Sequence, residues 1–314
     1  MRETRGAGPS QPLDALAQQA RGGDRAALES LVRAVQGDVY ALALRFLWHP
    51  QDAEDATQEI LVRVITGLGG FRGESRFRTW LYRVACNTLL SLKAQRMERR
   101  AMSFEEFGED LGQGLSDATP AAQGDADHAL VLEEIKIGCT LGMLLCLDRD
   151  QRMAYILGEI MELDHNDASE ALQTSRAAFR KRLSRARQRI ETFMLSRCGL
   201  VNSANACRCS RRVDTAIACG RVDPTHLLFA SSLAQAKRFP ALLHEIRALE
   251  DLRRAAALYR SHPIPQPSAD FAAWLRKLIA ERTMPSAFGS SRGSTRRGQM
   301  VVREAGHGRR GRGR

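Results

Sequence analysis

The stretch Thr174–Ile190, TSRAAFRKRLSRARQRI, decides which fold this chain is expected to have. On a helix its apolar side chains recur at helical spacing and form one narrow stripe: Phe179, Leu183, Ala186 and Ile190. The remaining faces carry seven cations and no acid. Like charges at i,i+4 destabilise a helix by roughly a few tenths of a kcal/mol per pair unless an anion neutralises them. A phosphate backbone is such an anion, so the pattern favours DNA binding over a solvated basic helix.

The residues before this stretch complete a helix-turn-helix pattern. Gln151–Leu163 has apolar residues at helical spacing, and the polar turn Asp164–Asp167 offers N-cap acceptors for a short helix at 168–172. Thr174 or Ser175 can cap the basic helix that follows. In this motif the last helix enters the major groove with its N-terminal side chains on the base edges. The candidate duplex-DNA contacts are therefore Ser175, Arg176, Ala178, Arg180, Lys181, Arg182 and Arg185.

Length and composition predict an all-α protein built from small domains. The chain has 314 residues and a net charge of +11, and no alternating run of β-branched residues of useful length occurs. The tail 286–314 holds eight arginines and one glutamate among glycines and serines, and such a composition cannot build a core. The rest of the chain is mildly basic, with strongly segregated charges.

Several classes of function are disfavoured by the motifs that the sequence lacks. It has no N-terminal apolar segment and no run of about 18 apolar residues, so we expect neither secretion nor a membrane partner. The seven cysteines show no even framework spacing, which indicates reduced thiols in a cytoplasmic protein. Phosphate-binding loops, H-E-x-x-H and G-x-S-x-G are absent, so we expect no enzyme and no required cofactor.

Composition divides the chain into six segments. They are a disordered leader at 1–12, a helical domain at 13–100, an acidic linker at 101–128, a helix-turn-helix domain at 129–194, a Cys-containing helical extension at 195–283 and a disordered basic tail at 284–314. In the first domain, helices are predicted at 13–35 with a break at Gly22-Gly23, at 38–48, at 53–68 and from Ser75 to about Arg99. The part of the linker at 103–127 has seven acids and no base, which is typical of a solvated spacer or of a segment that fills a cationic groove.

Two helices of the first domain carry candidate functional residues. The fourth interleaves aromatic side chains with cations, a pattern that suits single-stranded nucleic acid because bases stack on rings while arginines track phosphates. The alternative is that Phe77, Trp80 and Leu81 are core residues. The third helix begins with a polar face made of acids, namely Asp52, Glu54, Asp55 and Glu59. Acids at a helix N-terminus are also expected from the helix dipole.

Three segments together resemble one protein family. DAEDATQEILVRV at 52–64, FRTWLYRVACN at 77–87 and LDRDQRMAYIL at 147–157 with SRAAFRKRLSRAR at 175–187 resemble the bacterial extracytoplasmic-function sigma factors, small promoter-recognition subunits of RNA polymerase. The resemblance covers roughly Leu13–Phe193. It implies a sigma region 2-like bundle and a sigma region 4-like helix-turn-helix, joined by the acidic linker and followed by the helical extension.

The resemblance implies a role for each element in transcription initiation. Core RNA polymerase would bind the residues Asp52, Glu54, Asp55, Gln58 and Glu59. The −10 element, melted to a single strand, would be read by Arg76, Phe77, Trp80, Arg83, Asn87, Lys93, Arg96 and Arg99, with Asn87 near a flipped-base pocket. The basic helix would read the −35 element as duplex promoter DNA. The alternative is a helix-turn-helix regulator that acts without being a polymerase subunit.

The second domain departs from the family pattern at three positions. Gln173 stands where a glycine is usual, Ser169 where an alanine is usual, and Leu147-Asp148 where Leu-Pro is usual. Because only glycine adopts positive φ without cost, Gln173 requires either a strained backbone or a different turn.

The extension contains a cluster of thiols. Four cysteines could close a tetrahedral zinc or other metal site, namely Cys198, Cys207, Cys209 and Cys219. Neighbouring arginines would lower the thiol pKa values and favour metal or oxidant chemistry, whereas the alternative is thiols that pack or remain free. The family resemblance implies two partners for regulation, a separate anti-sigma factor or the chain's own extension, Cys198–Arg282. A zinc-dependent enzyme would need a Glu or His base beside the cysteines, and no plausible one is present.

Overall fold

The computed structural model describes residues 12–93, 97–115, 126–263, 267 and 269–281. Within these ranges the chain forms thirteen α-helices and no strand, as the sequence predicted. The helices are α1 (Leu13–Arg21), α2 (Arg25–Leu47), α3 (Pro50–Gly67), α4 (Phe77–Ser91), α5 (Phe104–Gln113), α6 (Ala126–Leu145), α7 (Arg149–Tyr155), α8 (His165–Ala171), α9 (Arg176–Arg197), α10 (Val213–Ala218), α11 (Leu233–Ala248), α12 (Asp251–Ser261) and α13 (Phe271–Glu281). The predicted leader, apart from Pro12, and the predicted tail lie outside the described residues.

The second helix is longer than the sequence pattern indicated. A break was predicted between 35 and 38, but α2 continues through Gly37 to Leu47. Its N-cap is Asp24, whose carboxylate accepts hydrogen bonds from the backbone N–H groups of Ala26 and Ala27. Tertiary packing outweighs the helix penalty of one glycine, because most of the residues after Gly37 are buried.

The fourth helix is shorter than predicted, and the linker is more ordered. α4 ends at Ser91 rather than near Arg99, and a short 3-10 turn follows at Glu98–Arg100. The predicted acidic spacer contains α5, which begins with a capping box in which Ser103 and Glu106 satisfy each other's backbone N–H groups. Phe104 and Leu111 on α5 are buried, so an apolar face holds this acidic helix on the protein. The rest of the linker, 116–125, lies outside the described residues.

One hydrophobic core runs through the first domain, the second domain and the extension. Members from distant elements include Phe46 of α2, Phe77 of α4, Ile137 of α6, Leu258 of α12 and Leu275 of α13. A contiguous cluster of this kind normally marks a single packed unit. The predicted domains are therefore packed against each other in this structure.

The extension bridges the two domains. Glu134 on α6 accepts hydrogen bonds of 2.8 Å from three consecutive backbone N–H groups, those of Leu228, Phe229 and Ala230. The Phe229 ring meets Trp48 edge-on at 5.1 Å between ring centroids, and Trp48 Nε1 donates to the carbonyl of Gly138 on α6. Farther on, α12 packs on α9 and α13 packs on α2. None of the described helices combines the length and apolar character needed to cross a membrane.

Candidate nucleic-acid interface

The basic helix α9 has the two faces that its sequence predicted. Its apolar stripe is fully buried, with exposures of 0% for Phe179, 3% for Leu183, 0% for Ala186 and 0% for Ile190. The Ser175 hydroxyl accepts a hydrogen bond from the backbone N–H of Ala178 and caps the helix, as predicted. Arg176, Arg180, Lys181 and Arg185 are exposed, so the cations project away from the core.

Two arginines of α9 are held by acids of the preceding helical segment. Arg182 pairs with Asp150 at 3.0 Å, and Arg187 pairs with Glu159. The other cations of α9 that were predicted to contact DNA are exposed to solvent. This arrangement orients α9 on its domain while it leaves the N-terminal half available to a polyanion.

In the turn before α9 the structure adopts one of the two alternatives that the sequence left open, a strained backbone at Gln173. Gln173 adopts a φ of 49°, in the left-handed region that favours glycine. Asp164 caps α8 by accepting hydrogen bonds from the N–H groups of Asn166 and Asp167. The helix–turn–helix geometry is therefore preserved with Gln173 in the usual glycine position.

The aromatic residues of α4 form part of the core. Phe77 is fully buried and lies 5.5 Å from Phe71 and 5.6 Å from Trp80, between ring centroids. Trp80 is only partly buried. Phe77 cannot stack on a base in this arrangement, and we correct its assignment from nucleic-acid contact to core residue. The interleaved pattern predicted the wrong role for Phe77 because an aromatic residue on a helix can pack in a core as readily as it can stack on a base.

The polar face of α4 contacts the helix-turn-helix domain directly. Three side-chain bonds cross between the domains, and they are Thr79 to Asp167 (3.0 Å), Arg83 to Glu170 (2.6 Å) and Asn87 to Gln173 (3.1 Å). The Arg83 Nε atom is shielded from solvent and has no hydrogen-bond partner in the described part of the chain. Two of the predicted −10 contacts are thus hydrogen-bonded to α8 and its turn, the partly buried Arg83 and the exposed Asn87.

The remaining predicted −10 residues are distributed around this contact. Arg76 lines a cavity of about 530 Å³ between the domains, together with four acids, Asp14, Glu74, Asp167 and Glu170. Lys93 and Arg99 are exposed. Arg96 lies outside the described residues.

Two arginines of α7 join the two domains, the buried Arg152 and the partly exposed Arg149, and sequence reasoning missed them. Arg152 is 3% exposed and donates to the Phe46 carbonyl of α2, to the Leu144 carbonyl of α6 and to Glu98 at 2.8 Å. Arg149 donates to the carbonyl groups of Leu89 and Leu92 at the end of α4. Nothing in the local pattern distinguishes these two arginines from the surface cations nearby, because their partners are distant in sequence.

The acidic helix α3 exposes most of the residues predicted to bind core polymerase. Asp55 is exposed, and Glu54, Gln58 and Glu59 are partly exposed. Glu59 pairs with Arg63 one turn later at 2.5 Å. The fifth residue, Asp52, is half-buried and its Oδ2 atom has no hydrogen-bond partner in the described part of the chain.

The cysteines of the extension differ from the prediction in their thiol pKa values and in their arrangement. Cys198 and Cys207 face each other in an isolated parallel β-bridge, whereas Cys219 is exposed. Burial raises the pKa of the Cys198 and Cys207 thiols, and this effect outweighs the lowering by Arg208. The expectation of lowered thiol pKa values is wrong for these two residues. Among the described residues, no group of three or more His, Cys, Asp or Glu side chains is placed to hold a metal ion, so the four-cysteine site stays a prediction without structural support.

Comparison with protein families gives two matches in chain order. Residues 31–99 match the model of Sigma-70 region 2, and residues 137–190 match the model of Sigma-70, region 4. The first match contains α3 and α4, and the second contains the helix-turn-helix.

Two curated relatives show similarity over most of their own length. The chain is 31% identical to the RNA polymerase sigma-H factor of Pseudomonas aeruginosa, over 56% of this chain and 90% of the relative. It is 30% identical to the ECF RNA polymerase sigma-E factor of Haemophilus influenzae, over 56% of this chain and 92% of the relative. A solved structure of CnrH in complex with the cytosolic domain of CnrY matches with 24% identity and a TM-score of 0.40, over 58% of this chain and 97% of that chain.

Proposed function

Because this chain belongs to the extracytoplasmic-function RNA polymerase sigma factors, we propose that each exposed face described above performs one step of promoter recognition. The family membership makes the chain a sigma factor for transcription initiation, with a region 2 and a region 4 domain. Its partners are then core RNA polymerase and promoter DNA, in the cytoplasm where both occur. The chain acts by binding, and we propose no catalytic reaction of its own.

The exposed N-terminal half of α9 carries the proposal for duplex recognition. A buried apolar stripe fixes the helix, and Arg176 and Arg180 project from the face that a major groove would meet. Arginine recognises a guanine edge with two hydrogen bonds, and other cations of the helix contact phosphates. This face would read the −35 element.

The assignments on α3 and α4 follow from exposure. The acids of α3 project from a helix whose other face is in the core, so a polymerase surface can reach them. Arg76, Trp80, Arg83 and Asn87 remain the proposed readers of the unpaired −10 strand. Asn87 is exposed, whereas Arg83 is engaged by Glu170 of α8, so the strand can bind its guanidinium fully only after α8 moves away.

The extension supports a proposal about regulation. It packs on α9 through α12 and on α2 through α13, and Arg260 of α12 forms an ion pair with Glu162 at 3.0 Å. An element that contacts both domains favours the arrangement in which they are close together. We propose that the extension is a regulatory partner in cis; a separate anti-sigma factor remains a second candidate.

Run-off transcription with core polymerase tests the proposed function. The wild-type chain should confer start-site selectivity on core enzyme, and Arg176→Ala with Arg180→Ala should weaken −35 binding by roughly 1–3 kcal/mol for each base contact. Arg253→Ala, an exposed arginine of α12, is the matched control and should have no effect. Equal loss on all DNA sequences would identify phosphate contacts instead. Failure of the wild type to direct core polymerase, with DNA binding retained, would favour the regulator without polymerase.

A further inference from the structure

An acidic side chain is buried on the basic helix α9 without a bonding partner. Glu191 is 8% exposed, and its carboxyl group forms no hydrogen bond or ion pair with the described residues. An ionised carboxylate is costly in such a setting unless a cation or a hydrogen-bond donor satisfies it. A carboxyl group avoids this cost when it takes up a proton, because burial penalises only the charged form. The surroundings of Glu191 therefore favour the protonated acid.

The cation one turn before Glu191 on α9 is already bound to another acid. Arg187 Nε lies 3.0 Å from Glu159 Oε1, on the π-helical segment Ile156–Ile160. Burial raises the pKa of Glu191 to about 7, the charge of Arg187 opposes this shift, and the like charge of Glu159 adds to it. Two carboxyl groups thus compete for one guanidinium, and Glu191 gains or loses its proton close to neutral pH.

The helix α12 of the extension packs over this cluster. It contacts both α9 and the π-helical segment. Tyr259 of α12 meets Tyr155 edge-on at 5.7 Å between ring centroids, and Arg260 donates to the Glu159 carbonyl at 2.8 Å. The Tyr155 hydroxyl is buried without a hydrogen-bond partner in the described part of the chain. Burial and the charge of Glu191 raise the pKa of Tyr155, whereas Arg260 lowers it, so Glu191 and Arg260 both lie around this side chain.

We propose that Glu191 is a proton-sensitive switch for the docking of α12 on α9. The neutral acid fits beneath the docked helix, whereas the ionised carboxylate favours release of α12, because water then reaches the charge. The switch deepens the proposed regulatory role of the extension, and it rests on the proposed function only for what release does to transcription. The titration and the docking are properties of the chain alone.

The sign of the pH dependence follows from proton linkage. The docked state holds a proton on Glu191 at pH values where the released state, with a solvated carboxylate, has already lost it. Docking is therefore strongest in acid, weakens as the pH rises toward 7, and levels off once both states are ionised. A docked-state pKa of about 7 makes the docking equilibrium roughly tenfold weaker at pH 8 than at pH 6.

Hydrogen–deuterium exchange of the full-length chain tests the switch. Peptides are analysed by mass spectrometry, with labelling times scaled to the intrinsic exchange rate at each pH. Protection of the backbone amides of α12 should fall roughly tenfold from pH 6 to pH 8. Glu191→Gln cannot ionise, so it should keep α12 equally protected at both pH values. Glu245→Gln, at an exposed acid of α11, is the matched control and should show the wild-type fall.

Arg187→Gln gives a second signature that a purely structural role would not produce. It removes the cation that favours ionised Glu191, so the fall in α12 protection from pH 6 to pH 8 should become roughly two- to threefold larger. The proposal is overturned if wild-type α12 protection does not depend on pH, if Glu191→Gln retains the fall, or if Glu245→Gln abolishes it. Failure of the proposed sigma function would appear separately, as loss of start-site selectivity in the run-off assay with exchange results as expected here.

Discussion

At residue 173 a strained backbone and a side-chain contact act in opposite directions. Gln173 adopts a φ of 49°, where glycine is favoured, and its amide oxygen accepts the hydrogen bond from Asn87 of α4. The sequence predicted either this strain or a different turn, but it did not indicate the contact, because Asn87 lies 86 positions away along the chain. The positive φ costs free energy whether or not the domains are in contact. The hydrogen bond with Asn87 forms only when they are.

Gln173→Gly should separate these two effects. Relief of strain should raise the free energy of unfolding by up to about 1 kcal/mol, measured by urea denaturation. Loss of the amide should at the same time remove the hydrogen bond with Asn87 of α4 and offset part of this gain. Gln188→Gly is the control, because this exposed residue lies within α9, and it should lower stability by about 0.5–1 kcal/mol. A fall in stability for Gln173→Gly would show that the lost hydrogen bond with Asn87 outweighs the relief of strain.

At the scale of elements, the helix-turn-helix depends on close packing between α9 and the π-helical segment Ile156–Ile160. Gly158 lies in that segment, and a Cβ added there would approach Leu183 Cδ2 to 2.8 Å and Phe179 Cζ to 3.4 Å. Both neighbours are buried, so they have little room to move. The glycine is therefore needed for close approach rather than for a turn.

Gly158→Ala should lower the free energy of unfolding by about 1–3 kcal/mol because it overpacks this contact. Gly37→Ala is the matched control, since an added Cβ at Gly37 of α2 meets nothing within 4 Å. It should stabilise the protein by about 0.5–1 kcal/mol through helix propensity. Equal effects of the two substitutions on thermal unfolding would show that the contact with Leu183 does not cause the loss of stability expected for Gly158→Ala.

The sequence could predict those elements whose pattern depends only on residues that are close together along the chain. The stripe from Phe179 to Ile190 and the Ser175 cap follow from spacing and residue type, and both were confirmed. α5 was missed because its acids outweighed the apolar positions Phe104 and Leu111. The end of α4 at Ser91 was missed because its last carbonyl groups are satisfied by Arg149, a partner that no local pattern shows.

At the scale of the whole molecule, Arg152 connects elements of both domains. It donates to carbonyl groups of α2 and α6 and pairs with Glu98, all in a buried setting. The two domains and their family were predictable because each has its own motif. Their mutual packing was not, since it depends on pairs such as Arg152 with the Phe46 carbonyl, 106 positions apart.

Arg152→Met should lower the free energy of unfolding by about 3–5 kcal/mol, because it removes the shorter of the two arginine ion pairs of the buried Glu98 carboxylate and the donor to several buried carbonyl groups. Addition of Glu98→Gln should recover part of the loss, since the remaining buried charge is removed. Arg253→Ala, exposed on α12, should change stability by less than about 0.5 kcal/mol. A loss below about 1 kcal/mol for Arg152→Met in urea denaturation would show that the interface does not depend on this guanidinium.

The shared core has a consequence for how the chain is made. Ribosomes synthesise α2 early and α13 late, yet Leu275 of α13 belongs to the same cluster as Phe46. A nascent polypeptide that has reached α9 already carries both helices proposed to read the promoter, while the apolar surfaces that Phe229 and Leu275 later cover are still bare. We expect chaperones to hold such a chain until translation of the extension is finished.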